Sequence, residues 1–233
     1  MIFHLVTIFP EFFRGPFDHG VVGKAIQAGK LEVRIHNLRD WTFDRHKTVD
    51  DRPFGGGEGM VMKAEPLFLA AESIWPERKP DQRLLLTSAQ GRLFEQSMAR
   101  ELSGLDEVMI LCGRYEGVDE RVAEHLADEE VSIGDFVMSG GELAAAVIVD
   151  CVARLLPGVL GNEASSVQES FTEGILDCPH WTRPAEFRGW KAPEILLNGH
   201  HEQIRKWRRQ AAMEKTARLR PDLLERQRNL SSG

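Results

Sequence analysis

The chain has 233 residues, is 42% hydrophobic and 28% charged, and carries a formal net charge of -7. Those proportions lie near the averages of globular domains and exclude a fibrous, low-complexity or intrinsically disordered chain. The three cysteines, Cys112, Cys151 and Cys178, are odd in number and far apart, so neither a disulfide framework nor a CxxC zinc site is supported.

The opening MIFHLVTIFPEFF has no basic leader and meets Pro10 and Glu11 after a short apolar run. It reads as a first strand rather than a signal peptide or membrane span, which makes the cytoplasm the expected location. Further along, FHLVTIF, LEVRIHN, RLLLTS, EVMILC and EEVSI are short apolar or β-branched runs that read as strands ending near Phe9, Asn37, Ser88, Cys112 and Ile133. Helical patterns cover 17–28, 64–75, 93–103, 118–126 and 141–155. The last, GELAAAVIVDCVARLL, is apolar nearly all round and predicts burial against a sheet or a second subunit. Such alternation predicts an α/β domain with a largely parallel sheet, in which ligands sit beyond the carboxyl ends of the strands. Three glycine-bearing segments start where strands end: TSAQG at 87–91, CGRYEG at 112–117 and SIGDFVMSGGE at 132–142.

From 157 to 174 the composition turns to Gly, Ser and Glu, which marks a linker between a first domain over 1–160 and a second over 176–233, with 161–175 as the connection. Beyond Pro179 a helical stretch places Ile204, Trp207 and Ala211 on one face and basic residues on the other. From His200 onward nine Lys and Arg face four acids, a local charge of +5 that leaves -12 for the remainder. That asymmetry suggests a basic surface for a polyanion on an acidic body, although surface helices are also often Arg-rich without a ligand.

No GxGxxG follows an early strand, and GGGEGM at 55–60 lacks the Lys-Ser/Thr of a phosphate-binding loop, which disfavours dinucleotide binding and nucleotide hydrolysis by those routes. Glycines beside strand ends let backbone NH and CO groups approach a ligand closely, and Ile133, Phe136 and Met138 supply apolar walls. These features together suit an adenosyl cofactor; taken singly, each glycine reads as a turn residue. In WTFDRHKTVDDRPFGGGEGM, 41–60, Arg45, His46, Lys47 and Arg52 interleave with Asp44, Asp50 and Asp51. The basic groups suit phosphates and a carboxylate suits a base edge, while a surface loop tied by its own ion pairs explains the same residues.

DRHKTVDDRPFGGGEGMVM, LCGRYEGVDERV, SIGDFVMSGGEL, RLLPGVLGNEAS, DCPHWTRP and RKWRR, in that order over nearly the whole chain, resemble the bacterial tRNA (guanine-N1)-methyltransferases that modify guanosine-37. The resemblance implies a SPOUT-type α/β fold with a deep trefoil knot and a small C-terminal helical domain that binds tRNA. It also implies a homodimer with its active sites at the subunit interface, S-adenosyl-L-methionine as donor, and a requirement for Mg2+. Cofactor-side positions carried over are Ser88, Gln90, Gly113, Tyr115, Glu116, Gly117 and the run Ile133, Gly134, Asp135, Phe136, Val137, Met138, Ser139, Gly140 and Gly141. Substrate-side positions are His46, Asp50, Arg52, the Gly55 to Gly59 run, His180 and Arg183. Ala89 and Ala144 stand where relatives have proline, Phe136 replaces a tyrosine, and Met138 a leucine.

The family's general base is an aspartate; this chain has Glu169, one methylene longer, and the resemblance assigns it the removal of the guanine N1 proton. The rival assignments are Asp177 as base or a purely structural Glu169. Arg154 matches the arginine that stabilises charge on O6, a position that without the resemblance reads as a cation at a helix C-terminus. Metal ligands are not legible, with Glu116 a candidate. A non-catalytic RNA-binding protein and a related enzyme acting on a ribose hydroxyl are the other function classes.

Overall fold

A computed structural model describes residues 1–160 and 169–231. The chain divides into two compact units, residues 1–161 and 162–233. Among the described residues there are seven α-helices, and none is long and apolar enough to cross a membrane.

The first unit is built on five parallel strands, β1 (Ile2–Thr7), β2 (Glu32–Asn37), β5 (Gln82–Leu93), β6 (Glu107–Cys112) and β7 (Glu129–Ser132), in the order β2-β1-β6-β5-β7. A separate short antiparallel pair joins β3 (Asp50–Asp51) to β4 (Val61–Met62). Side chains alternate across the strands, and in β1, β6 and the 84–87 part of β5 they are buried on both faces, which explains why those runs read as continuously apolar. Phe3, Leu5, Leu85, Val108 and Ile110 enter one core with α1 (Gly20–Gln27), α3 (Gln96–Ser103) and α5 (Glu142–Ala153). Val6, Leu84, Leu86, Met109 and Leu111 enter the other, beneath α2 (Ala64–Ile74) and alongside Val122 of α4 (Glu120–His125).

Helix α5 buries Ala145, Ile148, Val149, Val152 and Ala153 against the sheet, yet Leu143 and Val147, one turn apart, remain exposed. The predicted strand ending near Ser88 proves longer. Strand β5 pairs with β7 through Leu85–Thr87, loses register, and resumes at Arg92 and Leu93, so α3 starts at Gln96 instead of 93. The backbone of β7 supplies this second pairing, which no alternation of polarity announces.

The second unit holds a hairpin of β8 (Glu186–Phe187) and β9 (Trp190–Lys191), then α6 (His201–Leu219) and α7 (Pro221–Ser231). Ile204, Trp207 and Ala211 are half-buried on α6, with Trp207 against Trp181 at 5.5 Å between ring centroids. Residues 161–168 of the expected linker lie outside the described residues.

Candidate active site

Because β1, β5, β6 and β7 are parallel, their carboxyl ends share one rim. Residues 86–90, where β5 loses register with β7, join residues 113–118 after β6 and 133–141 after β7, Asp135 apart, in lining a single open cleft there, and the cavity volume is about 220 Å3. Every cofactor-side position carried over from the resemblance touches this cleft except Asp135: Ser88 and Gln90 from the first segment, Gly113, Tyr115, Glu116 and Gly117 from the second, and Ile133, Gly134 and Phe136 through Gly141 from the third. Ile133 and Met138 are half-buried, and Phe136 and Val137 are exposed. Arg114, which sequence reasoning passed over, also lines the cleft.

Hydrogen bonds fix these loops to the strand ends. The Thr87 hydroxyl donates to Leu111 O (3.1 Å) and accepts from Gly113 N (3.0 Å), and Gly141 N donates to Gly113 O (2.8 Å). A Cβ at residue 141 would fall on the Thr87 hydroxyl, so the close approach of the loops requires glycine there. Gly134 has φ +152, and Ser132 secures both its polar groups, accepting from Gly134 N (3.2 Å) and donating to Gly134 O (3.1 Å). Glu116, Glu120 and Glu130 line the cleft against one cation, Arg114, which is paired with Glu142.

The 44–60 segment is joined to this rim. Asp50 sits on β3 opposite Met62 of β4, Glu116 N donates to Met60 O (3.0 Å), and Met62 N to Gly117 O (3.0 Å). Tyr115 adopts φ 62, and its phenol interacts with Asp50 and Arg39; burial, then the Asp50 charge, raises its pKa above the ordinary value. His46, Arg52, Gly55 and Gly59 lie on the exposed part of the segment. Asp44 organises its start by accepting from Thr48 N (2.9 Å), the Thr48 hydroxyl (2.9 Å) and His46 N (2.8 Å). Those bonds, Thr48 N–H first, hold the Asp44 carboxyl below the usual range.

Arg154 caps the C-terminus of α5 in the first unit, half-buried. In the second unit Glu169 is half-buried and its carbonyl accepts from Thr172 N (3.2 Å). Asp177 lies in the same unit, its backbone N–H donated to the Ser170 hydroxyl (3.0 Å). Its two carboxylate oxygens accept from Cys178 N (2.6 Å) and meet His180 Nε2 (2.9 Å). Burial alone would raise the Asp177 pKa, but the His180 and Cys178 hydrogen bonds outweigh it and hold the group below the ordinary value. His180 and Arg183 are exposed.

Asp177, Cys178 and His180 are the one group of three or more potential metal ligands among the described residues. They offer one oxygen, one sulfur and one nitrogen, whereas Mg2+ takes a near-octahedral shell of oxygens. This group does not fit Mg2+, and Glu116 has no companion ligands in any such cluster among the described residues.

The sequence model described as tRNA (Guanine-1)-methyltransferase TrmD matches residues 1–226. Among curated proteins, the tRNA (guanine-N(1)-)-methyltransferase of Koribacter versatilis is 58% identical over 240 aligned residues, covering 95% of this chain and 91% of the relative. The protein of the same name from Geobacter metallireducens is 52% identical over 226 residues, with 97% and 92% covered, and that of Dictyoglomus turgidum 54% over 222, with 95% and 89% covered. With a match over nearly its whole length and identities above half, this chain belongs to the tRNA (guanine-N1)-methyltransferase family.

Proposed function

We propose that this protein transfers a methyl group from S-adenosyl-L-methionine to N1 of guanosine-37 in tRNA, working in the cytoplasm as a homodimer. The observation that carries the reading is the convergence of 88–90, 113–117 and 133–141 on one cleft, together with family membership. The cleft's chemistry fits this donor. Its rim offers backbone NH and CO groups for a purine edge, Leu86, Ile133 and Met138 for an adenine face, and an excess of carboxylates suited to a sulfonium. When bound, that cofactor supplies an electrophilic methyl whose departure leaves a neutral thioether.

The residues of the chain then have two tasks. The first is alignment: the loops tied through Thr87 and Gly113 hold the donor pocket, and Asp50 and Arg52, on the segment joined to the same rim, meet the anticodon region. The second is proton removal. Guanine N1 carries a hydrogen that must leave as the N–C bond forms; Glu169 accepts it, and Arg154 stabilises the charge developing on O6. Both oxygens of Asp177 are occupied and its pKa is depressed, which weighs against it as the base. No step is assigned to Mg2+, because the ligand group described does not suit it.

The same reading includes a trefoil knot in the first unit and a tRNA-binding second unit reached through 161–175. The exposed Leu143 and Val147 on a largely buried apolar helix support a subunit contact along α5. The test is incubation of the protein with labelled donor and a tRNA transcript, followed by mass-spectrometric mapping of the methylated atom. N1 of guanosine-37 is expected; a ribose hydroxyl or no product rejects the reading. Glu169→Gln is expected to lower single-turnover methyl transfer by roughly two to four orders of magnitude, the range of general-base catalysis, with donor affinity nearly unchanged. Retained turnover rejects Glu169 as the base.

A further inference from the structure

We infer that Arg114 and Glu142 form a buried brace that sets the spacing of the donor-binding loops, making them positioning residues for methyl transfer. The inference rests on the reading of the cleft as the S-adenosylmethionine site.

Glu142 is the first residue of α5, and its side chain is 1% exposed. A carboxylate withdrawn this far from water is costly unless its oxygens are saturated. Here the Thr7 hydroxyl donates to Oε1 (2.7 Å), Arg114 Nε donates to Oε2 (2.9 Å), and Arg114 Nη2 lies 2.9 Å from Oε2. The helix N-terminus adds favourable partial charge.

Arg114 is not consumed by this pairing. Its Nη1 donates to Ser139 O (3.0 Å), and its guanidinium lies over the Phe9 ring, 4.5 Å from the centroid. Its backbone forms an antiparallel bridge with Gly140, where a Cβ would strike the guanidinium. One planar fork therefore fastens the end of β1, the 113–117 loop and the 139–142 turn. Glu142 and Thr7 do not line the cleft, so they act on a ligand only through Arg114 and Ser139.

A role confined to stability and a role in positioning predict different results for three variants, Arg114→Lys, Glu142→Gln and the double Arg114→Gln/Glu142→Gln. Lysine restores a charge opposite Glu142 but presents a single ammonium that cannot span both Glu142 and Ser139. The double variant removes the unpaired charge and keeps two amides, with a side chain too short for Ser139. Thermal unfolding and isothermal titration with S-adenosylmethionine are measured on each full-length protein, after the wild type.

Glu142→Gln is expected to lower Tm by about 6–20 °C, the range for breaking a buried ion pair in a domain of this size. Arg114→Lys and the double variant are expected to regain most of that Tm yet bind S-adenosylmethionine about tenfold or more weakly, the loss expected when a charge-assisted hydrogen bond goes. Wild-type affinity in either of these two variants overturns the inference, as does affinity that falls only in proportion to Tm across all three. A wild type that does not bind S-adenosylmethionine removes the reading of the cleft and the brace's role with it. Wild-type binding that the variants leave unchanged removes the brace's role alone.

Discussion

Acid should weaken this protein through His36, and the effect can be worked out from the cluster it belongs to. His4, 3% exposed within β1, lies 3.0 Å from Glu107 Oε2 through Nε2 and 3.0 Å from His36 Nε2 through Nδ1. Glu107 also accepts from Trp75 Nε1 (2.7 Å). A carboxylate only accepts, so His4 Nε2 carries the hydrogen; His4 Nδ1 is then the acceptor, and His36 Nε2–H donates to it. The two imidazoles stack at 5.2 Å, with Trp41 against His36 and Arg34 nearby on β2.

Burial first, then the His4 and Arg34 charges, pulls the His36 pKa from 6.5 to about 4, and burial also lowers that of His4 despite Glu107. As pH falls from 6.5 towards 4, the unfolded chain binds a proton on His36 that the folded chain refuses, so stability is full above 6.5 and declines through this window. At about 1.4 kcal/mol per tenfold, the His36 contribution to the loss by about pH 4.5 is roughly 2–3 kcal/mol. His36→Gln retains an amide donor to His4 Nδ1 but cannot titrate. Urea unfolding of wild type and variant from about pH 7 to about pH 4.5 should show the wild type losing roughly 2–3 kcal/mol more than the variant. Parallel stability curves for the two proteins would refute the reasoning.

Gly141→Ala pushes a methyl group onto the Thr87 hydroxyl, which is pinned between Leu111 O and Gly113 N. Urea unfolding should show a loss of about 1–3 kcal/mol, and titration calorimetry a weaker affinity for S-adenosylmethionine; unchanged values in both would mean that the two loops do not need their close approach. Tyr115→Phe removes the phenol that meets Asp50 and Arg39. Steady-state assays should give a rise in KM for tRNA of up to about tenfold, the value of one hydrogen bond, with donor affinity nearly constant, whereas the opposite pattern would assign the phenol to the donor.

Strands β1, β6 and the first half of β5 were legible because they are buried on both faces and so appear as apolar runs, and α5 announced itself by being apolar all round. The second half of β5 was not legible: Arg92 and Leu93 pair with β7 only after a register shift, a property of the partner strand. The β8–β9 hairpin turns at Arg188 and Gly189, both at positive φ, between strands of two residues each, too short to leave a periodic signature. In the candidate site the loops were visible as glycines after strand ends. Their cross-links were not, since Arg114 and Glu142 stand 28 residues apart and Thr7 and Glu142 stand 135 apart. A polar residue in an apolar run reads as an interruption until its partner is known.

The strand order explains why these particular loops meet. Placing β6 between β1 and β5 sets the loop after β6 beside the ends of both neighbours, while β7, next to β5, delivers the 132–141 segment from the outer side. The 113–117 loop is thus central, and its backbone takes bonds in three directions: to Thr87, where β5 loses register with β7, to Gly141 before α5, and to Met60 and Met62 of the 44–62 segment. A change in any of the three segments displaces a loop that the other two also use. Glycines at 140 and 141 are the sterically required residues at this crossing, because a Cβ there would occupy the space of Arg114 and Thr87, the two side chains that hold the crossing together.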